Sequence, residues 1–275
     1  MRADDLPALA FIGGGNMASA IIGGLRRAGV PAAQFEVVEP FDAARTRLAE
    51  AFGIAAQPQA SSALARCRLI IWAVKPQAFA QAAAPVRTFT RDALHLSVAA
   101  GITSGSIERW LANERIVRAM PNTPALIGRG MTGLYARGAV SAGDRMLVEQ
   151  VLASTGELLW FDDEAALDAV TAVSGSGPAY VFYFLEAMTE AGVQMGLPAN
   201  VAHRLALGTL AGAAALAGQS DEAPAVLRER VTSKGGTTYA AISAMQSASV
   251  KEQIMKAMHA ARQRAEEMAR EFGSS

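Results

Sequence analysis

The stretch FIGGGNMASAIIGG, residues 11–24, limits what this chain can fold into more than any other. Leu9-Ala10-Phe11-Ile12 is a short apolar run that reads as a buried strand, and it stops at three consecutive glycines. From Asn16 to Ile22 the apolar residues return at helical spacing. Gly13, Gly15 and Ala18 fit the pattern G-x-G-x-x-G/A. In it the first glycine makes a tight turn and the second lets backbone approach a pyrophosphate. The third small residue lets helix and strand pack closely. The helix then offers its unpaired first N–H groups to the phosphates. An ordinary glycine-rich turn is the competing reading; the position between a strand and a helix favours a dinucleotide.

The following residues repeat the scheme. Phe35-Glu36-Val37-Val38-Glu39 reads as a second strand, closed by Glu39 a little over 20 residues after the turn. An acid there accepts hydrogen bonds from the adenosine ribose hydroxyls and favours NAD over NADP; the alternative is a solvated strand-end carboxylate. Arg45 and Arg47 follow on the next helix and leave a 2′-phosphate contact open. Leu69–Val74 is another buried run, closing at Lys75-Pro76-Gln77, and Leu94–Ala100 is a further one before Gly101. Ligands of doubly wound sheets sit beyond the carboxyl ends of the strands. Ala73, Val74, Lys75 and Pro76, with Val98, Ala99 and Ala100, are therefore expected to lie against the nicotinamide ribose and ring. Lys75 is a candidate base, but no carboxylate or relay partner stands near it in sequence. Thr103–Glu108 resembles a capped helix start, Arg115–Met120 a strand, and Pro121-Asn122-Thr123-Pro124 a rigid loop at the same sheet edge. Gly133–Ala136, a helix over about 141–154 and Glu157–Phe161 complete the α/β pattern.

No strand-like run follows. The boundary is expected at about 162–166, giving a Rossmann-type dinucleotide-binding domain over 1–163 and an all-helical domain over 164–275. Helices are expected over 164–195, 198–217, 222–231, 237–246 and 249–272, with Gly196-Leu197-Pro198 as a stop–start signal. Leu205–Gly218 is the most apolar stretch; at 14 residues it is short of a bilayer span and reads as a buried interface helix.

Composition narrows the partners. Lys+Arg and Asp+Glu both number 25, so nothing recommends nucleic acid or an acidic membrane surface. The single cysteine, Cys67, rules out an internal disulfide framework, fits a reducing compartment and reads as core. Residues 1–8 carry two acids and no apolar h-region, so a cytoplasmic protein is expected. A positive mean hydropathy at zero formal charge points to apolar surface hidden in an oligomer.

Two motifs mark the helical half. Val173–Tyr180, VSGSGPAY, interrupts a helical pattern with two glycines and a proline, for kinked packing or for approach to a ligand. Thr232–Thr238, TSKGGTT, opens a helix with hydroxyls and glycines, the makings of an anion site for which a carboxylate is a natural occupant. A capped inter-helix turn is the alternative. His95, His203 and His259 share no spacing with a carboxylate, no cluster has metal spacing, and no G-x-S-x-G elbow is present. A nicotinamide enzyme without an acid–base histidine suits a cyclic imine, which once protonated is already an electrophile.

Together FIGGGNMASAIIGG, WAVKPQ, SVAAGI, MPNTP, AVSGSGPAYVF and VTSKGGTTYAAI resemble pyrroline-5-carboxylate reductase, in that family's order and over nearly the whole chain. The resemblance implies reduction of L-1-pyrroline-5-carboxylate to L-proline by NAD(P)H. It implies a homodimer of interlocked helical domains, which in several members assembles further into a decamer. By matching positions it assigns cofactor contacts to Ile12, Gly13, Gly14, Gly15, Asn16 and Met17. It assigns the substrate carboxylate to Ser233, Gly236, Thr237 and Thr238, with the Thr238 hydroxyl near the ring nitrogen as the catalytic contact. Glu164 matches a position on the substrate side. Two residues depart from the family's habit: Lys234 replaces a common proline, and Glu39 leans the cofactor choice towards NADH. A β-hydroxyacid dehydrogenase would need a lysine on the helix after Gly177, where PAYVFYF stands instead. A non-catalytic NAD(P) sensor would need no hydroxyl-rich carboxylate turn.

Overall fold

A computed structural model describes residues 6–273; residues 1–5, part of the stretch read for a leader, lie outside them. Up to Ser176, and again from Ala261 onward, the described residues form one compact unit, and Gly177–Ala260 form a second.

In the first unit seven strands alternate with helices: β1 (Leu9–Ile12), α1 (Asn16–Arg27), β2 (Phe35–Val38), α2 (Asp42–Phe52), β3 (Leu69–Trp72), α3 (Phe79–Arg87), β4 (Leu94–Ser97), α4 (Ser104–Leu111), β5 (Ile116–Met120), β6 (Gly130–Ala136), α5 (Ala142–Leu152) and β7 (Gly156–Phe161). They form one sheet of order β2-β1-β3-β4-β5-β6-β7, parallel except where β6 meets β5. Because helices cover both faces, the strands are apolar runs rather than alternating ones. Leu9, Phe11, Leu69 and Ile71 pack with Ile21, Ile22 and Leu25 of α1, whereas Ala10, Ile12, Ile70 and Trp72 pack with Phe79 and Val86 of α3. The chain reverses direction across the sheet between β1 and β3, the crevice where such folds bind ligands.

β6 begins at Gly130, earlier than the apolar run suggests, because Gly130 pairs with Gly156 at a close approach. A side-chain carbon at Gly156 would lie 2.0 Å from the Gly130 carbonyl oxygen. The expected single helix over 164–195 is broken. α6 (Ala166–Val170) passes into a π-helical turn, Thr171–Gly175, before α7 (Gly177–Gln194) begins. Packing accounts for Gly175: a Cβ there would sit 2.5 Å from the Met120 methyl carbon.

The second unit holds α7, α8 (Ala199–Gly218), α9 (Pro224–Arg230), α10 (Thr237–Ser247) and most of α11 (Val250–Gly273). The α7–α8 contact is made by small residues, Gly192 standing 2.8 Å (as a built Cβ) from the Ala202 Cβ. α8 lies within one residue of the helix expected over 198–217. It starts at Ala199 and runs 20 residues, with mean hydropathy 1.2, long and apolar enough to cross a membrane by length and composition alone. It is also largely exposed within this chain, only Ala202 and Ala206 being buried. Phe182, Tyr183, Leu205, Leu216 and Met255 stand exposed as well, because one copy of the unit has too few elements to cover its apolar faces.

Candidate active site

Four parallel strands, β2, β1, β3 and β4, end side by side, and in β1, β3 and β4 the residue after the strand's last one ties it to its neighbour. Gly13 N–H donates to the Val38 carbonyl at 2.8 Å, Ala73 N–H to Ile12 at 2.8 Å, and Val98 N–H to Trp72 at 3.1 Å. The structure therefore brings together the glycine turn, Ala73–Pro76 and Val98–Ala100 at one edge of the first unit. Gly13 has φ +95°, and a Cβ there would lie 2.6 Å from the Ala73 carbonyl oxygen, so only glycine fits the turn. Gly15 differs: no atom lies within 4 Å of where its Cβ would stand, and it N-caps α1 without any side-chain acceptor. Open space before an uncapped helix N-terminus suits a diphosphate. The residues present thus fit a dinucleotide.

Glu39 is buried just beyond β2. Its two oxygens accept the N–H of Gly14 at 2.7 Å and of Phe41 at 2.9 Å. The carboxylate is thus an organised acceptor at the corner where the adenosine ribose is expected, rather than a solvated strand end. Arg45 is tied down beside it, donating to the carbonyls of Glu39 at 2.9 Å and Pro40 at 2.8 Å and pairing with Asp42. Lys75 is exposed at the head of a short turn opened by Pro76.

His95 and Cys67 are buried in the first unit's core. The His95 Nδ1 accepts the Trp72 indole N–H at 3.1 Å, so the ring proton on Nε2 faces the Thr90 carbonyl at 3.3 Å. Burial pushes its pKa down to about 4, outweighing the Thr90 hydrogen bond. Burial likewise pushes the Cys67 thiol up to about 11, which leaves it a core residue. Among the described residues no cluster of His, Cys, Asp and Glu could hold a metal ion.

Glu164 belongs to the first unit, and the turn that holds the other expected substrate residues belongs to the second. Its Oε1 accepts from Arg118 at 2.7 Å and from the Ser104 N–H at 2.6 Å, while Oε2 accepts the Ser104 hydroxyl at 2.6 Å. Burial alone would raise this carboxyl, but the Arg118 charge and the Ser104 hydrogen bonds prevail and hold it below the ordinary range. Arg118 and Ser104 are absent from the sequence-based set. The signal for Arg118 was a lone charge in the strand run IVRAM, since a buried guanidinium requires a partner. Asn122 was missed too: its side chain donates to the Ser174 carbonyl at 3.1 Å and accepts the Met131 N–H at 3.0 Å.

In the second unit Ser233, Gly236, Thr237 and Thr238 share one turn. Gly235 takes φ +75°, Gly236 N–H closes onto the Ser233 carbonyl at 3.0 Å, and Gly236 N-caps α10 with no side-chain cap. Ser233, Thr237 and Thr238 are exposed in the single chain, their hydroxyls beside the free amides of a helix start. Hydroxyls beside free helix-start amides are chemically suited to a small anion.

Fold and site define an oxidoreductase that uses a nicotinamide dinucleotide. Residues 8–101 match a family profile described as NADP oxidoreductase coenzyme F420-dependent, and residues 164–268 match one described as pyrroline-5-carboxylate reductase dimerisation. A pyrroline-5-carboxylate reductase of Pseudomonas aeruginosa is 47% identical over 97% of this chain and 98% of its own. The solved reductase of Coxiella burnetii superposes with TM-score 0.88 at 34% identity, covering 96% of this chain and 99% of that one. That of Plasmodium falciparum, solved with NADP bound, gives TM-score 0.85 at 28% identity, covering 96% and 98%. The chain belongs to the pyrroline-5-carboxylate reductase family, whose members reduce that cyclic imine with NAD(P)H.

Proposed function

We propose that this chain reduces L-1-pyrroline-5-carboxylate to L-proline, with NADH preferred over NADPH. One observation carries the reading. Among the described residues two helix N-termini are capped by glycine and by no side chain, one behind Gly15 and one behind Gly236. The first suits a diphosphate and the second a carboxylate. In the division of labour we assign, residues 1–163 bind the dinucleotide and residues 164–275 bind substrate and dimerise.

Ile12–Met17 would hold the diphosphate, Glu39 the adenosine ribose, and Ala73–Pro76 with Val98–Ala100 the nicotinamide half. When bound, the reduced dinucleotide supplies a hydride. The Ser233 hydroxyl and the first amides of α10 hold the substrate carboxylate and so orient the ring. Thr238 hydrogen-bonds the ring nitrogen. As the new C–H bond forms, the π pair of the protonated imine moves onto that nitrogen, which becomes an amine and takes its second proton from water. Positioning and fixed dipoles supply the rate, and no histidine is required.

The Glu39 carboxylate, already bonded to Gly14 and Phe41, opposes a 2′-phosphate by charge and accepts ribose hydroxyls, which supports NADH. The exposed apolar faces of α7, α8 and α11 support a homodimer, and we extend this to a decamer built from such dimers. The lone cysteine supports a cytoplasmic setting. The test is NADH and NADPH oxidation with pyrroline-5-carboxylate, run side by side: turnover with both, and the higher kcat/KM with NADH, is expected. Absence of turnover with either would favour a dinucleotide sensor.

A further inference from the structure

The loop joining β4 to α4, residues 98–103, is held at its start, middle and end. At the start, Val98 N–H bonds to Trp72 and the Ser97 hydroxyl accepts the Ala99 N–H at 3.3 Å. In the middle, Gly101 has φ +70°, and a Cβ there would lie 2.8 Å from the Met268 Cβ near the end of α11. At the end, Ser104 gives both its N–H and its hydroxyl to Glu164.

An ordinary helix cap does not explain that last contact. Thr103 already caps α4, its hydroxyl accepting the Ser106 N–H at 3.2 Å. Glu164 is a second acceptor brought from 60 residues along the chain, and it arrives ion-paired to Arg118. Arg118 sits on β5 directly opposite Ser97, the last residue before the loop. The guanidinium therefore ties the far end of the loop to the strand beside its near end. Arg137 reinforces the anchor, donating to the Ser104 hydroxyl at 3.3 Å and to Glu108 at 2.5 Å.

We infer that Glu164, with Arg118 as its counter-ion, is a positioning residue that sets the β4–α4 loop beneath the nicotinamide. It acts through Ser104 and does not touch substrate. The inference rests on the assignment of Val98–Ala100 to the nicotinamide half of the site.

The test compares Glu164→Ala and Glu164→Gln with the unmodified enzyme, using NADH and NADH deuterated at the transferred position. A misplaced ring slows the chemical step, and an error near 1 Å costs up to about 100-fold. Glu164→Ala is expected to lower kcat about 30-fold and to leave the dinucleotide Kd within about threefold, because the diphosphate anchor is intact. Its deuterium effect on kcat should rise, as hydride transfer becomes rate-limiting. Glu164→Gln, which keeps an acceptor for the Ser104 N–H, should recover part of the loss. If leaving Arg118 unpaired prevents Glu164→Ala from folding, Glu164→Gln is read alone: a raised deuterium effect supports the inference and an unchanged one overturns it. A fall in kcat with an unchanged deuterium effect marks a merely structural residue and overturns it. So does a raised substrate KM at unchanged kcat, the mark of direct substrate contact. Ala100→Leu separates the two layers. If it impairs turnover while Glu164→Ala does not, the positioning role falls alone; if neither does, the loop assignment falls with it.

Discussion

Glu39 accepts the backbone N–H of Gly14 at 2.7 Å, so the end of β2 and the glycine turn form one hydrogen-bonded corner. A carboxylate held there repels a phosphate on the adenosine ribose. Glu39→Gln removes the charge and also sets an amide donor against either Gly14 or Phe41. The NADPH/NADH ratio of kcat/KM should rise about tenfold, in keeping with a partly screened charge repulsion on the order of 1 kcal/mol. Steady-state kinetics with both cofactors check this; an unchanged ratio would remove Glu39 from cofactor selection.

Gly13→Ala should damage the fold as well as the site. A methyl group at φ +95° would press on the Ala73 carbonyl, and that backbone directly follows β3 and is bonded to Ile12. A loss on the order of 2 kcal/mol is expected, with dinucleotide binding lost beyond it. Urea unfolding and a fluorescence titration measure the two effects separately. Gly15→Ala, facing open space, should leave stability nearly unchanged while weakening dinucleotide binding.

The Trp72–His95 pair makes stability depend on pH. The folded ring titrates at about 4 instead of 6.5, so between those values the unfolded chain binds the extra proton. Stability is therefore full above about pH 6.5 and declines as pH falls towards 4, by roughly 1.4 kcal/mol per unit. His95→Gln keeps a donor and an acceptor but cannot titrate. Denaturant curves at fixed protomer concentration between pH 7.5 and 4.5 should show a shallower decline for the variant. Parallel declines would mean that carboxylates alone set the dependence.

Thr238→Ala should reduce kcat/KM for pyrroline-5-carboxylate about 100-fold, the order expected for one lost donor at a reacting centre. Dinucleotide affinity should change less than about twofold, because Ile12–Met17 is untouched. Equal losses in both measurements would remove Thr238 from its assigned contact.

Much of this was legible along the chain because its causes are local. An apolar run that ends in glycines, with helical spacing after it, fixes strand, turn and helix within 20 residues. The Ser233–Thr238 turn was readable for the same reason: its glycines and hydroxyls are neighbours in sequence. The break after α6 was half legible, since VSGSGP announces an interruption but not that Met120 fills the space at Gly175.

Sequence by itself determined the alternation of buried strands and helices, the glycine turn and the hydroxyl-rich turn, since backbone sterics and hydrophobic period act over a few residues. Only the tertiary structure decided what the charged groups do. Glu39 meets Gly14 across 25 residues, Glu164 meets Ser104 across 60, and Arg109 reaches the Gly273 carbonyl across 164. Those pairings depend on which strand ends lie side by side and on the path of α11. A carboxylate's partner is set by position in space, and no local pattern encodes it.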